Sequence, residues 1–322
     1  MSERTVLPGA AIPAALQHAL AARYVLLDAP PRAATFALQA AALPASARAR
    51  VRAIVTMGST ATGDDVMALF PSLGIVCCIG SGHEGVDLAA ADARGVAVTH
   101  SPGANAASVA DVAIGLMIAS VRGFRAAARR LGDGGWRGNA AERMPLPRGL
   151  AGRRLGIFGM GAIGREVARR ACAFGMVIGY HNRRALDTVD ARHFESLAGL
   201  AQWCDVLLVS VRAGADTRHA VDAGILAALG DDGHVINIAR GSVIDEAALI
   251  DALQRGVIAG AGLDVFEHEP DVPAALLALP NVFALPHIGG ASRDAQAAMQ
   301  AMVLANLDAF FAGAPLPTPV QA

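Results

Sequence analysis

The sequence predicts an α/β fold in two domains, each built on a doubly wound parallel sheet. Three observations predict it. The chain has 322 residues, long for one compact domain and suited to two of ordinary size. Short apolar runs alternate with helical patterns along most of it. Those runs are apolar throughout rather than at every second residue, as strands buried on both faces of a parallel sheet must be.

The strand-like runs are 24–28, 53–56, 74–79, 96–100, 154–158, 177–180, 205–209, 234–238, 260–265 and 282–285. Helical patterns fall between them, with 164–174, 246–255 and 291–311 as examples. A long helix over 106–130 is expected to cross between domains. Residues 132–152 break the alternation: they are rich in Gly, Pro and Arg, hold Trp136, and read as a connection into a fresh βαβ unit at Arg154. No fixed-period repeat is present.

Composition narrows the chemistry. Hydrophobic residues make up 54% and charged residues 17%, enough for a large core and too apolar for disorder. A net charge of -1 gives no reason to expect nucleic acid or an anionic membrane as partner. All 27 basic residues are Arg, which excludes a Schiff-base lysine and a phosphate-loop lysine. Cys77, Cys78, Cys172 and Cys204 lack metal-ligand spacing and are expected to be buried, reduced thiols, so no metal is expected. The opening MSERTVLPGA lacks a signal-peptide core, and the apolar helical stretch 109–121 is too short to span a bilayer and carries Asp111. A cytoplasmic protein is the expectation.

G-x-G-x-x-G occurs twice, at Gly80–Gly85 and at Gly159–Gly164, each after an apolar strand. Behind Gly164 runs a substantial amphipathic helix, then the strand VIGYHNRR. That is the dinucleotide-binding βαβ unit: a tight turn, close backbone approach to pyrophosphate, and a helix N-terminus facing it. Gly159, Gly161, Ala162, Ile163 and Gly164 are therefore candidate cofactor contacts. Behind Gly85 there is only a short helical stretch and an early Gly95, so the first copy reads instead as a turn whose amides suit a small carboxylate.

Where an NAD site usually carries Asp or Glu for the ribose 2′-hydroxyl, this chain has His181, Asn182, Arg183 and Arg184. No carboxylate repels a 2′-phosphate there, and two guanidiniums suit one, so NADPH is the expected cofactor in preference to NADH.

Three later strands carry polar residues to the same predicted sheet edge. HVINIA is followed by Arg240, AGAGLDVF by Glu267, His268 and Glu269, and VFALP by His287. Arg240 suits a bidentate hold on a substrate carboxylate. His287 suits proton donation as a hydride reaches a carbonyl carbon, and a neighbouring Glu favours the charged imidazolium and orients the ring. Either glutamate serves on spacing alone.

On these residues the sequence resembles the D-isomer-specific 2-hydroxyacid dehydrogenase family. The matching stretches are HSPGANAASVAD (100–111), GIFGMGAIGREVARRACAFGM (156–176), INIARGSVIDEAAL (236–249), AGLDVFEHEP (261–270) and LPHIGGAS (285–292). The resemblance implies Arg240, Glu269 and His287 as the catalytic set, selecting Glu269 over Glu267. It implies a flavodoxin-like substrate domain of residues 1–100 and 289–322 and a Rossmann nucleotide domain of residues 101–288, with the active site in a cleft that closes by a hinge. Amides near Ser81 and Gly82 would hold the substrate carboxylate, with Arg240. Val211, Ile238 and Asp264 would join the cofactor contacts, Asp264 near the nicotinamide carboxamide. Helices over 106–130 would form a homodimer interface.

Within the family the chain is most similar to NADPH-dependent glyoxylate/hydroxypyruvate reductases, with the hydroxyphenylpyruvate-reducing type as an alternative. The implied product is a D-2-hydroxy acid. His83 and Glu84 depart from the usual aromatic and Asp after the substrate-loop glycines, and 211–215 lacks the common proline. A dinucleotide-sensing co-repressor is the rival from another functional class.

Overall fold

The computed structural model describes residues 4–9, 12–27, 35–136 and 146–320. The chain divides into two compact units, Met1–Asn105 with Arg293–Ala322, and Ala106–Ser292. The sequence reading set these breaks at 100/101 and 288/289.

The first unit holds β1 (Thr5–Pro8), β2 (Val25–Leu26), β3 (Val51–Met57), β4 (Ile75–Ile79) and β5 (Ala97–Thr99). All pair in parallel, in the order β2-β1-β3-β4-β5, which is the flavodoxin-like arrangement. Successive side chains enter opposite cores. Ala53, Val55, Ile75 and Cys77 pack on one face, Ile54, Val76 and Cys78 on the other. The helix Arg293–Ala312 closes the first of these faces with Ala295, Met299, Val303 and Leu307, a regular i, i+4 stripe. Tyr24 Oη donates to Asp308 at 2.5 Å and ties that helix down.

The second unit holds β6 (Arg154–Phe158), β7 (Val177–His181), β8 (Arg192–His193), β9 (Val206–Val209), β10 (His234–Asn237), β11 (Gly260–Leu263) and β12 (Val282–Ala284). Its parallel order is β12-β11-β10-β9-β6-β7-β8. The chain starts in the middle, runs out to β8, and returns on the other side of β6. The reversal between β6 and β9 opens a crevice at the C-terminal strand ends, where such sheets bind ligands. Here too the strands are sandwiched. Leu155, Ile157, Val206, Leu208 and Ile236 line one core, and Leu207, Val209, Val235, Ala261 and Leu263 line the other.

Some local expectations are corrected. The single helix over 106–130 is two helices, Ala106–Val121 and Phe124–Gly132, bent by 65°. Gly123 takes a left-handed backbone at φ 62°, which a continuous helix cannot hold. The strand over 24–28 is only Val25–Leu26, and Asp28 lies outside the described residues. Part of the connection over 132–152, residues 137–145, also lies outside them. Cys77, Cys78 and Cys204 are buried, and burial pushes each thiol up to about 12. Cys172 is exposed instead, because it follows the inward-facing Ala171 by one residue and so lies about 100° further round the helix Ala162–Ala173. No single helix among the described residues is long and apolar enough to cross a membrane.

Candidate active site

Each glycine of the second fingerprint meets a different local requirement. Gly159 takes φ 102°, and a Cβ there would lie 2.5 Å from the Val211 nitrogen, so the turn leaving β6 admits only glycine. At Gly164 a Cβ would stand 2.4 Å from the Gly159 carbonyl oxygen and 3.2 Å from Ile157 Cγ2, so the helix packs directly onto the strand turn. Gly161 differs: a Cβ there meets nothing within 4 Å. It is the N-cap of Ala162–Ala173, and no side chain caps that helix end. Open space before uncapped helix amides fits the pyrophosphate of a dinucleotide. Ala162 is exposed and Ile163 half-buried in the same first turn.

The first fingerprint is closed. Gly80 also turns with positive φ, at 89°, but a Cβ on Gly58 would overlap the Gly82 carbonyl oxygen at 1.8 Å, and Gly85 N donates to Gly58 O at 2.8 Å. The following helix, Leu88–Ala93, has Asp87 as its N-cap, accepting from Ala90 N at 3.0 Å. A carboxylate occupies the place a phosphate would need. Asp87 is the sequence signal that separates the two loops. Ser81 is held in the turn by His100 Nδ1, which donates to its carbonyl at 2.9 Å, and its Oγ lies 3.2 Å from Asn105 Oδ1. Gly82 packs on Gly58.

At the end of β7 the structure gives Asn182 a bracing role. Its Oδ1 accepts from Met160 N at 2.8 Å, and its carbonyl accepts from His193 Nε2 at 3.2 Å. The loop beyond is fastened by Leu186 N donating to Tyr180 Oη at 2.8 Å and by Arg165 donating to Thr188 Oγ1 at 3.0 Å. Arg183 and Arg184 are exposed on this fixed turn. Val211 stands against Gly159, and buried Ile238 extends the sheet through its amide to Val209 O at 3.2 Å.

β10, β11 and β12 are neighbours, so the residues after them share one edge. Arg240 follows β10, and Asn237 shapes its turn. Asn237 Nδ2 donates to Arg240 O at 3.0 Å while its Oδ1 accepts from Ala239 N at 3.0 Å. Sequence reasoning missed Asn237, which is 1% exposed. Arg240 Nη1 donates to Ala239 O at 2.7 Å.

Asp264 follows β11, buried, with one oxygen accepting from Ile288 N and the other from Gly289 N, each at 2.8 Å. Burial pushes its carboxyl above the usual range against the pull of those amides. Expected beside the carboxamide, Asp264 in this structure anchors the segment that carries His287. Glu269 and His287 meet directly: Nδ1 donates to Oε2 at 2.7 Å. Nε2 is then the ring nitrogen that bears the transferable proton of a charged imidazole. His287 itself takes a left-handed backbone, φ 53°.

Residues 114–289 match the family model for D-isomer specific 2-hydroxyacid dehydrogenase, NAD binding domain. A glyoxylate/hydroxypyruvate reductase of Arabidopsis thaliana is 39% identical over 270 residues, 84% of this chain and 83% of that protein. A hydroxyphenylpyruvate reductase of Plectranthus scutellarioides is 37% identical over 270 residues, covering 84% and 85%. The crystal structure of an NADPH-dependent glyoxylate/hydroxypyruvate reductase from Sinorhizobium meliloti, in complex with NADP and malonate, superposes with a TM-score of 0.89 at 41% identity, covering 99% of this chain and 97% of that one. With its dinucleotide loop, its strand order and its Glu269–His287 pair, the chain belongs to the D-isomer specific 2-hydroxyacid dehydrogenase family.

Proposed function

We propose that the chain is an NADPH-dependent reductase of small 2-keto acids, converting glyoxylate or hydroxypyruvate to a D-2-hydroxy acid. The observation that carries this reading is the His287–Glu269 hydrogen bond on the strand edge shared with Arg240.

Gly161 and the uncapped start of Ala162–Ala173 would hold the pyrophosphate, and Arg183 and Arg184 the 2′-phosphate. The bound cofactor supplies a hydride to the substrate C2. Arg240 holds the substrate carboxylate and aligns the carbonyl. Nε2 of charged His287 gives its proton to the carbonyl oxygen, so C2 gains the new C–H bond and the oxygen, left with the C=O π pair, becomes the hydroxyl. Glu269 keeps Nδ1 protonated and aims the ring.

A phenylpyruvate-like acid is the second reading. Arg240 and His287 address only the keto-acid head, and the similarity to a hydroxyphenylpyruvate reductase supports a bulkier tail. We propose also a cytoplasmic homodimer. Phe124 and Leu131 leave apolar surface exposed on the helix Phe124–Gly132, within the segment implied for that interface.

The test is a panel from glyoxylate and hydroxypyruvate to phenylpyruvates, each assayed with NADPH and NADH. Highest kcat/KM for a small keto acid with NADPH is the expected outcome. A preference for NADH would refute the role given to Arg183 and Arg184.

A further inference from the structure

Two glutamates follow β11, and the reaction as proposed uses only Glu269. Glu267 is built into a second, parallel arrangement. Its Oε1 accepts from His219 Nε2 at 2.8 Å and from Arg218 Nη2 at 3.0 Å, and its side chain is 13% exposed. Burial pushes its carboxyl up, but the hydrogen bond and charge of His219, with Arg218 and His268 beside it, outweigh burial and hold it below the usual range.

His219 and His287 are the two non-glycine residues with positive φ among those described, at 51° and 53°. A left-handed backbone is unfavourable for a non-glycine residue, so it persists where the surroundings hold it. Each of these histidines is held by one glutamate of the same short segment.

What Glu267 fastens is the turn of Arg240. His219 N donates to Ser242 O at 2.8 Å, and Val221 N donates to Val243 O at 3.0 Å. Glu267 N donates to Glu246 Oε2 at 3.2 Å, in the first turn of the helix that follows Arg240. The backbones are in contact as well. A Cβ on Gly241 would lie 1.8 Å from the Phe266 carbonyl carbon and 2.2 Å from the Glu267 nitrogen. Glu267 thus joins 218–221, 240–246 and the segment that ends in Glu269.

We propose that Glu267, acting through His219, is a positioning residue that sets the Arg240 turn in register with the Glu269–His287 pair, and so governs how well the keto-acid carboxylate is held. This rests on the reading of Arg240 as the carboxylate clamp.

The test compares the full-length Glu267→Ala and Glu267→Gln variants with wild type. Steady-state kinetics with glyoxylate are read beside NADPH affinity and melting temperature. In Glu267→Ala the KM for glyoxylate should rise by about 10- to 100-fold, since a small misplacement of a clamp is costly. kcat should fall by less, and the Kd for NADPH should stay close to wild type. Glu267→Gln retains an oxygen for His219 and should recover part of the KM. A folded Glu267→Gln or Glu267→Ala protein with wild-type KM would overturn the proposal. So would a parallel loss of KM, kcat, NADPH affinity and melting temperature, which a merely structural bridge would give. Arg240→Ala is run alongside. An unchanged KM there overturns the clamp and this proposal together, whereas an unchanged KM in the Glu267 variants alone overturns only the positioning role.

Discussion

Glu269 accepts a hydrogen bond from each of two directions: His287 Nδ1 donates to its Oε2 at 2.7 Å, and the Phe266 amide donates to its Oε1 at 3.1 Å. The carboxylate is therefore fixed before it fixes the imidazole. In Glu269→Gln an amide nitrogen replaces one acceptor, so either the Phe266 amide or His287 Nδ1–H loses its place. The expected result is a fall in kcat of about 10²-fold with NADPH affinity retained, read by steady-state kinetics and equilibrium binding.

The glycines of the dinucleotide loop should separate binding from stability. Gly161→Ala adds a methyl group to open space, at an ordinary backbone φ of -84°. Its melting temperature should hold or rise slightly, and its affinity for NADPH should drop. Gly164→Ala forces the same methyl to 2.4 Å from the Gly159 carbonyl oxygen and should cost about 1–3 kcal/mol of stability. Thermal melts and cofactor titrations of both variants check the contrast. Equal affinity for NADPH in Gly161→Ala and wild type would remove that space from the cofactor site.

Replacing Arg183 and Arg184 together by Ala should weaken NADPH binding and leave NADH binding nearly unchanged. A charge-assisted hydrogen bond contributes about 1.5–3 kcal/mol, so a roughly 10- to 100-fold rise in the Kd for NADPH is expected. Calorimetric titration with 2′-phosphorylated and unphosphorylated cofactor reads the difference directly.

Buried His234 gives the fold a pH dependence of its own. Burial, aided by the Arg153 charge and opposed by Asp232, pushes its pKa down to about 4 from an ordinary 6.5, and its Nδ1 pairs with Ser120 Oγ at 2.9 Å. The unfolded chain therefore binds a proton that the folded chain refuses between those values. Stability is complete above pH 6.5 and falls as the pH drops through 4, by up to about 3 kcal/mol from this group. Chemical denaturation at pH 7 and pH 4.5 should show the loss, and His234→Gln should reduce it.

Much of this architecture was legible because its physical causes are local. Apolar runs such as VLLV and IVCCI, alternating with helical patterns, mark strands buried on both faces, and Arg240, Glu269 and His287 follow three strands of this alternation. What stayed hidden depends on tertiary contact. β8 is only Arg192–His193, polar and too short for a periodic signal, and in β1 Thr5 and Pro8 leave just two apolar strand-forming residues. The bend at Gly123 is one glycine in an otherwise helical pattern. Asn237, Asp264 and Glu267 act through partners 2 to 49 residues away, so composition and spacing could not assign their roles. Asn182 was read as a cofactor contact from its place after β7, and only the packed loop shows its oxygen on Met160 N.

The most direct measurement is NADPH consumption with glyoxylate and hydroxypyruvate by wild type and His287→Ala, each with its NADPH affinity. Wild type should turn over both acids, and the variant should lose about 10²- to 10⁴-fold in kcat while binding NADPH as wild type does. Wild-type turnover in His287→Ala would contradict proton donation by His287, and with it the reductase chemistry built on the Glu269–His287 pair.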